Sequence, residues 1–471
     1  MKHFYAAGAV RIFHGDCRDV QATFDADSLD ACVTDPPYEL GFMGKPWDQR
    51  GVAFDPETWR AVLRVLKPGA HLVAAGGTRT HHRLICAIED AGFEIRDTLS
   101  WLYGSGFPKS LDVSKAIDKA AGAEREVVGI NEDYLRRKPH GMKTPGATAY
   151  GYSETQQETD ARITAPATAA ARQWEGWGTA LKPAWEPWVL ARKPLRGTVA
   201  SNVQRYGTGA LNIDGCRIGT TKEVPASVSR KSSANCYGRF AEYGETQGVG
   251  GHDPNLGRWP ANLVLSHTPD CREVGTRKVR SGNSKTPSDM QGVTWQMRQR
   301  EVGPHYAGPD GTETVAAWEC SPDCPVRMLD EQSGQLTTNP GTMRNDSPTG
   351  SFGVTRRTGS RLSNGDTGGA SRFFYTAKAS RRERECGLPP GLKADHPTVK
   401  PVALMRWLVR LVTPPGGTVL DPFMGSGSTK LACEAERFGF VGIEQDEHYC
   451  EIAKARKLLP GVVSEAAQLG L

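Results

Sequence analysis

Two short runs of residues carry groups arranged for chemistry. The first, Asp35-Pro36-Pro37-Tyr38, follows an apolar stretch from Leu29 to Thr34 that reads as a strand. An exocyclic amino group on a nucleic-acid base is a poor nucleophile because its lone pair is delocalised into the ring. A carboxylate and a backbone carbonyl accepting its two N–H bonds would draw that lone pair back onto nitrogen. Asp35 and the Pro36 carbonyl can supply these acceptors. Pro36 and Pro37 stiffen the backbone, and Tyr38 offers an aromatic face on which an extruded base can stack. The same four residues would also make a proline-stiffened turn with Tyr38 in a core.

The second run, Asp421-Pro422-Phe423-Met424-Gly425-Ser426-Gly427, joins a predicted strand to a predicted helix, and its Gly-x-Gly lets the backbone approach a ligand closely. Glu444 ends the next predicted strand, about where nucleotide-binding folds place an acid on ribose hydroxyls. Three readings compete. A phosphate-binding P-loop is disfavoured because the order is Ser428-Thr429-Lys430 rather than Gly-Lys-Ser/Thr. A nicotinamide site lacks its third glycine, and Phe423 fills the turn. S-adenosylmethionine fits best, since Phe423 can lie beside its apolar and cationic parts.

Positioning these runs requires alternating strands and helices. Residues 1–112 read as strands at Val10–Phe13, Leu29–Thr34, His71–Ala75 and Phe93–Leu102, with helices at Pro56–Leu66 and Thr80–Ala91. Residues 395–471 continue the rhythm: a helix opened by Pro401, strands at Thr418–Leu420 and Phe440–Ile443, and helices at Ser428–Arg437 and His448–Leu459. Such alternation predicts an α/β fold with a mostly parallel sheet covered on both faces. Residues 113–394 are rich in Gly, Ser, Thr, Pro and Arg and read as an irregular, partly flexible insert with a small core. Its apolar islands are Trp185–Leu190, Ala210–Ile213, Trp259–Leu265 and Phe373–Tyr375.

The bulk numbers bound the setting. At 471 residues the chain exceeds one ordinary domain. A net charge of +5 permits a polyanionic partner without demanding one. The N-terminal residues show no signal-peptide pattern, and no stretch approaches the roughly 20 apolar residues of a membrane span. Eleven cysteines without such a signal predict a cytoplasmic protein with reduced thiols.

Within the insert, Arg and Lys recur at 272–300 and 344–384, interleaved with Tyr206, Trp259, Trp295 and Phe373, a mixture suited to phosphate contact and stacking. Taken singly, each Arg reads as solvated surface. His267-x3-Cys271 and Cys320-x3-Cys324 form two ligand-like pairs that could hold a structural Zn²⁺; reduced, partly buried thiols are the alternative.

Asp-Pro-Pro-Tyr together with Phe-x-Gly-x-Gly resembles the amino-methyltransferase family of DNA-modifying enzymes. The order, with the catalytic run first, the cofactor loop last and a long insert between, resembles its beta group, in which the insert recognises the target. Further matches are Gly15-Asp16, Arg64–Gly69, Trp101–Pro108 and His396-Pro397-Thr398-Val399-Lys400-Pro401. The resemblance implies a Rossmann-like, S-adenosylmethionine-dependent methyltransferase sheet with a large inserted target-recognition region. It implies that Asp35, Pro36, Pro37 and Tyr38 are catalytic. It implies that Asp16, His396, Thr398, Lys400, Asp421, Phe423, Gly425, Gly427 and Glu444 line or close the cofactor site. The activity implied is site-specific methylation of adenine N6 in duplex DNA, by base flipping and direct in-line transfer. It further implies a restriction-modification setting in a bacterial or phage-infected cell, and it is compatible with a homodimer. Asp35 leans toward adenine, since Ser at that position goes mostly with cytosine N4. N4-cytosine methylation and a DNA-binding relative without turnover are the alternatives.

Overall fold

A strand buried on both faces must be apolar or have its polar groups paired, and Leu29–Thr34 does both: Leu29 and Ala31–Val33 are apolar, Asp30 pairs with Lys67, Thr34 donates to Asp421, and all six residues of this strand, β3, are buried. In the computed structural model it lies inside a ten-stranded sheet. The structure describes residues 3–40, 51–104, 110–131, 161–218, 259–268, 270–280, 284–285, 312–322, 324–334, 336–337, 342–343, 361–363, 367–368, 371, 374–378, 381–392 and 399–458. The other strands are β1 (Tyr5–Ala7), β2 (Val10–His14), β4 (Leu66–Ala75), β5 (Glu94–Leu102), β6 (Trp185–Arg192) and β7 (Leu263–His267). After the ribbon strands β8 (Arg272–Arg280) and β9 (Thr312–Glu319), which pair with each other outside this sheet, come β10 (Tyr375–Lys378), β11 (Thr418–Asp421) and β12 (Gly439–Glu444).

The spatial order is β1-β2-β12-β11-β3-β4-β6-β5-β7-β10. Pairing is parallel from β2 through β4, and parallel again for β5 with β7 and β7 with β10. Strand β6 runs antiparallel between β4 and β5, and β1 antiparallel to β2. The fold is mixed α/β with a large, mostly parallel sheet, in line with the predicted class.

Helix α1 (Cys17–Ala22) follows β2, and α2 (Pro56–Val65) and α3 (His81–Asp90) flank β4. Helix α2 starts because the Asp55 side chain caps the Glu57 N–H and Pro56 occupies the first turn. Beyond the insert, α8 (Val402–Val412) has eight buried residues, including Trp407 and Leu408, and packs over β3 and β4. Helix α9 (Ser428–Glu436) joins β11 to β12, and α10 (Glu447–Ala455) follows β12. Connections leave β3 toward β4 and leave β11 toward β12, in opposite directions along the sheet. The carboxyl ends of β3 and β11 therefore flank a topological switch point, where open α/β sheets hold ligands.

The boundaries read from composition differ from the compact units. Apolar islands of the middle region supply sheet strands: Trp185–Arg192 is β6, Leu263–His267 is β7, and Tyr375 opens β10. Three strands from residues 113–394 thus join the same sheet as the two ends of the chain. The physical reason that composition hides them lies in β6, which is buried from Pro187 to Arg192 and so looks like a generic apolar island rather than an alternating strand. The second compact unit is Ser105–Ala184. Within it, α4 (Val113–Ala120) and α5 (Ala169–Gln173) carry a buried carboxylate with all its demands met. Asp118 accepts from Arg125 Nη1 at 2.7 Å, from the Ala167 and Thr168 N–H groups at 3.0 Å each, and from Thr168 Oγ1 at 2.8 Å.

One core position sets an acid limit on stability. His71 in β4 is 4% exposed, and burial, aided by Arg192 and Arg96, pushes its pKa from 6.5 down to about 4. The folded state therefore excludes a proton that the unfolded chain accepts. The corresponding stability is complete above pH 6.5 and lost as pH falls toward 4. The expected loss is about 3 kcal/mol, at roughly 1.4 kcal/mol per unit. Urea titrations between pH 7 and 4 should show this fall in the native protein and a flatter profile in His71→Leu.

Candidate active site

Register brings the two chemical runs together. Parallel β11 and β3 pair Val419 with Ala31 and Leu420 with Cys32, so Asp421 and Thr34 end side by side. Thr34 Oγ1 donates to Asp421 Oδ1 at 2.7 Å, and Thr429 Oγ1 donates to Asp421 Oδ2 at 2.6 Å. Burial pushes the Asp421 carboxyl up to about 7, against the pull of these donors and the Phe423 N–H. Asp421 thus acts as a clasp between the strand end that presents Asp35 and the loop that follows β11.

Around Asp35 is a buried charge cluster. Lys400 Nζ lies 2.8 Å from Asp35 Oδ2, 3.2 Å from Glu186 Oε2 and 3.1 Å from the Tyr38 hydroxyl. The Tyr38 hydroxyl donates to Glu186 Oε2 at 3.0 Å. Burial alone would lower the pKa of Lys400, but the carboxylates of Asp35 and Glu186 outweigh it and raise the value, so Lys400 is a fixed cation. Burial, then the same two carboxylates, push the Tyr38 phenol far up and keep it neutral. With Oδ2 committed to Lys400, Asp35 Oδ1 is buried and accepts no hydrogen bond from the described residues. A buried acceptor without a donor is costly unless a ligand supplies one.

A cavity of about 740 Å³ extends from this cluster to the end of β12. Asp16, Asp35, Pro36, Pro37, Tyr38 and Lys400 line it, as do Asp421, Phe423, Gly425 and Glu444. Among the described residues its walls present seven carboxylates against two fixed cations, Arg18 and Lys400. Both cations are already paired, Arg18 with Asp16 and Lys400 with Asp35. Such a wall suits a ligand carrying positive charge and repels phosphates, which weighs against the dinucleotide reading of the glycine loop. The Glu444 carboxylate is held in place by the Gly425 N–H at 2.8 Å and the Asp446 N–H at 2.9 Å. Asp16 caps α1 through the Arg18 N–H and receives Gln445 Nε2 at 3.1 Å.

Gly427 has a different part. It does not line the cavity; its φ is +80°, and a Cβ there would sit 2.9 Å from Ala453 Cβ of α10. The glycine lets α9 approach α10. Gly427→Ala is therefore expected to cost about 2 kcal/mol through backbone strain and overpacking, read as a lowered urea midpoint. His396 and Thr398 lie outside the described residues, as do Trp295 and Phe373. Trp259, by contrast, is exposed, with Arg217 5.2 Å over its ring, and Tyr206 lies beneath Arg205 at 5.2 Å.

Two residues of this site escaped sequence reasoning. Glu186, which shares Lys400 with Asp35, opens β6; its signal was a lone acid inside Trp-Glu-Pro-Trp at the head of an apolar run. Arg456, wholly buried after α10, donates to the Ser426 carbonyl at 2.9 Å and to Ser428 Oγ at 3.3 Å, and so fixes the glycine loop from behind. Nothing in its local Lys-Ala-Arg-Lys setting marks it as buried.

Residues 294–455, about a third of the chain, match the family model of the N6/N4 DNA methylases. The match includes Lys400, the Asp421–Gly427 loop and Glu444, while Asp35–Tyr38 precedes it in sequence and meets it in space. Among curated relatives, the type II methyltransferase M.BglI of Bacillus subtilis is 42% identical over 59 residues, 12% of this chain and 17% of that protein. The type II methyltransferase M.SmaI of Serratia marcescens is 46% identical over 64 residues, 14% of this chain and 22% of that protein. The chain thus spans about a fifth of the length of these relatives. Among solved structures, the cytosine-N4-specific PvuII DNA methyltransferase matches at 12% identity and a TM-score of 0.38, covering 100% of this chain and 93% of that one. The M1.HpyAVI structure matches at 13% identity and a TM-score of 0.33, covering 95% and 98%.

Proposed function

We propose that this protein is a site-specific DNA methyltransferase that uses S-adenosylmethionine to methylate adenine N6 in duplex DNA, with the target base turned out of the helix. The observation that supports this most is Asp35 Oδ1, a buried acceptor without a donor among the described residues, on a residue that lines the acid-walled cavity together with Tyr38. The residues present fit the cofactor: the carboxylate-rich wall suits its sulfonium and ammonium charges, and Glu444 stands at the end of β12, where a ribose would be met. When bound, S-adenosylmethionine supplies an electrophilic methyl group.

The chain's own residues do the rest. Lys400 holds Asp35 by one oxygen, so that the other faces the cavity as a fixed acceptor for one N–H of the target amino group. The Pro36 carbonyl takes the second N–H. Together they concentrate the nitrogen lone pair, and Tyr38, neutral and held by Glu186, offers its ring to the base. Positioning of this kind is worth several kcal/mol without any covalent enzyme intermediate, on the order of 7–11 for well-oriented reactants. Asp at position 35 favours adenine over cytosine by the family resemblance. The exposed basic residues Arg272, Arg277 and Lys278 of β8 suit phosphate contact.

Incubating the full chain with labelled S-adenosylmethionine and either duplex DNA, RNA or protein tests the acceptor class. Label in duplex DNA alone is expected. Label only in RNA or protein, or measurable cofactor binding with no transfer to any acceptor, would refute the reading.

A further inference from the structure

One imidazole and three sulfur groups that the proposed reaction does not use converge at one place. His267 ends β7, Cys271 follows a turn closed by its N–H to the Thr268 carbonyl at 3.1 Å, Cys320 follows β9, and Cys324 caps α7 (Pro325–Ser333). Their potential ligand atoms all lie within 4.8 Å of one another. His267 Nδ1 is 3.4 Å from the sulfurs of both Cys320 and Cys324. Four ligands on a tetrahedron around zinc, with Zn–S of about 2.3 Å and Zn–N of about 2.0–2.1 Å, are separated by roughly 3.5–3.8 Å. Cys320 and Cys324 are free thiols.

We propose that His267, Cys271, Cys320 and Cys324 bind one structural Zn²⁺. Four protein ligands close the coordination shell, so the ion has no open position for a substrate and serves as a fastener. Binding joins Nδ1 and three sulfurs to the metal, and the three thiol protons pass to water. The surroundings fit this assignment. The His267 ring stacks on Trp318, with centroids 4.0 Å apart and an interplanar angle of 21°, which fixes its orientation. Hydroxyls stand beside the sulfur of Cys271, Thr268 Oγ1 at 3.1 Å and Ser321 Oγ at 3.9 Å, as outer partners for a thiolate. Arg327 donates to the Cys320 carbonyl at 3.3 Å and places a cation near a Cys3His–zinc centre of net negative charge.

The fold shows why a fastener belongs here. The local core has four buried members, Leu265, Cys271, Cys324 and Val326, and two of them are the cysteines themselves. Little apolar burial is available to hold the β8–β9 ribbon and α7 to the sheet at β7. The ion would stitch all three together, since its ligands come from the end of β7, the start of β8, the end of β9 and the cap of α7. This inference does not rest on methyl transfer, and its test reads metal rather than activity.

The experiment is metal analysis of the full chain purified without chelator, with Cys320→Ser, Cys324→Ser and Cys86→Ser measured in parallel. Cys86 is exposed on α3 and outside the cluster. One zinc per chain is expected in the native protein and in Cys86→Ser, and much less than one in the other two. Because the cluster variants can fail to fold, cobalt exchange of the native chain gives a second reading: visible absorption of tetrahedral cobalt–thiolate is expected. Folded native protein with far less than one metal per chain and no such absorption would overturn the assignment, as would soluble Cys320→Ser and Cys324→Ser variants that keep a full equivalent.

Discussion

Asp35→Ala is expected to lower methyl transfer about 10²–10³-fold while S-adenosylmethionine binding changes by less than a few-fold. The size follows from removing one preorganised acceptor aimed at the reacting group, which costs that much in buried sites. The split between rate and binding follows from geometry. Asp35 Oδ1 has no hydrogen-bond partner among the described residues, whereas the opposite end of the cavity is organised by Glu444 and the loop of Gly425. Initial rates on duplex DNA and calorimetric titration of the cofactor measure the two arms. A variant that keeps a third or more of the native rate would remove Asp35 from the mechanism.

Lys400→Met is expected to be nearly as damaging and to act through both stability and rate. It leaves the carboxylates of Asp35 and Glu186, whose side chains are 18% and 16% exposed, facing each other without their shared counter-ion. Breaking a buried ion pair by removing one partner costs about 3–5 kcal/mol. Asp35 also loses the 2.8 Å contact that fixes it as an acceptor. A urea midpoint shifted by that free energy is therefore expected, together with a loss of transfer of about 10²-fold, the size seen when one positioned donor or acceptor is lost. Glu186→Gln should be milder, because Lys400 and Asp35 keep their 2.8 Å contact. Native stability and native rate in Lys400→Met would show that the cluster has no part in either.

The strand ends that carry the chemistry were legible because local signals coincide there. Leu29–Thr34 is largely apolar, stops at two prolines and is buried throughout, and Thr418–Asp421 stops at a glycine loop. Lys400 could be named only through resemblance, since no spacing rule links it to a residue 365 positions earlier. Its contact with Asp35 is a product of α8 packing over β3. The middle region was harder for a different reason. Strands β6, β7 and β10 lack the helix-strand alternation that marked both ends, and β6 runs antiparallel. Gly427 shows the limit of motif reading: a glycine beside a ligand and a glycine beside a helix look alike in sequence, and only the 2.9 Å distance to Ala453 separates them.

The central claim is that the amino group held by Asp35 and Pro36 is N6 of adenine. The most direct measurement is to methylate mixed-sequence duplex DNA with the purified chain and labelled S-adenosylmethionine, digest to nucleosides, and identify the labelled product by mass spectrometry. The account predicts N6-methyladenine, absent when Asp35→Ala replaces the native protein. N4-methylcytosine as the labelled product would contradict it, leaving the site chemistry but overturning the base.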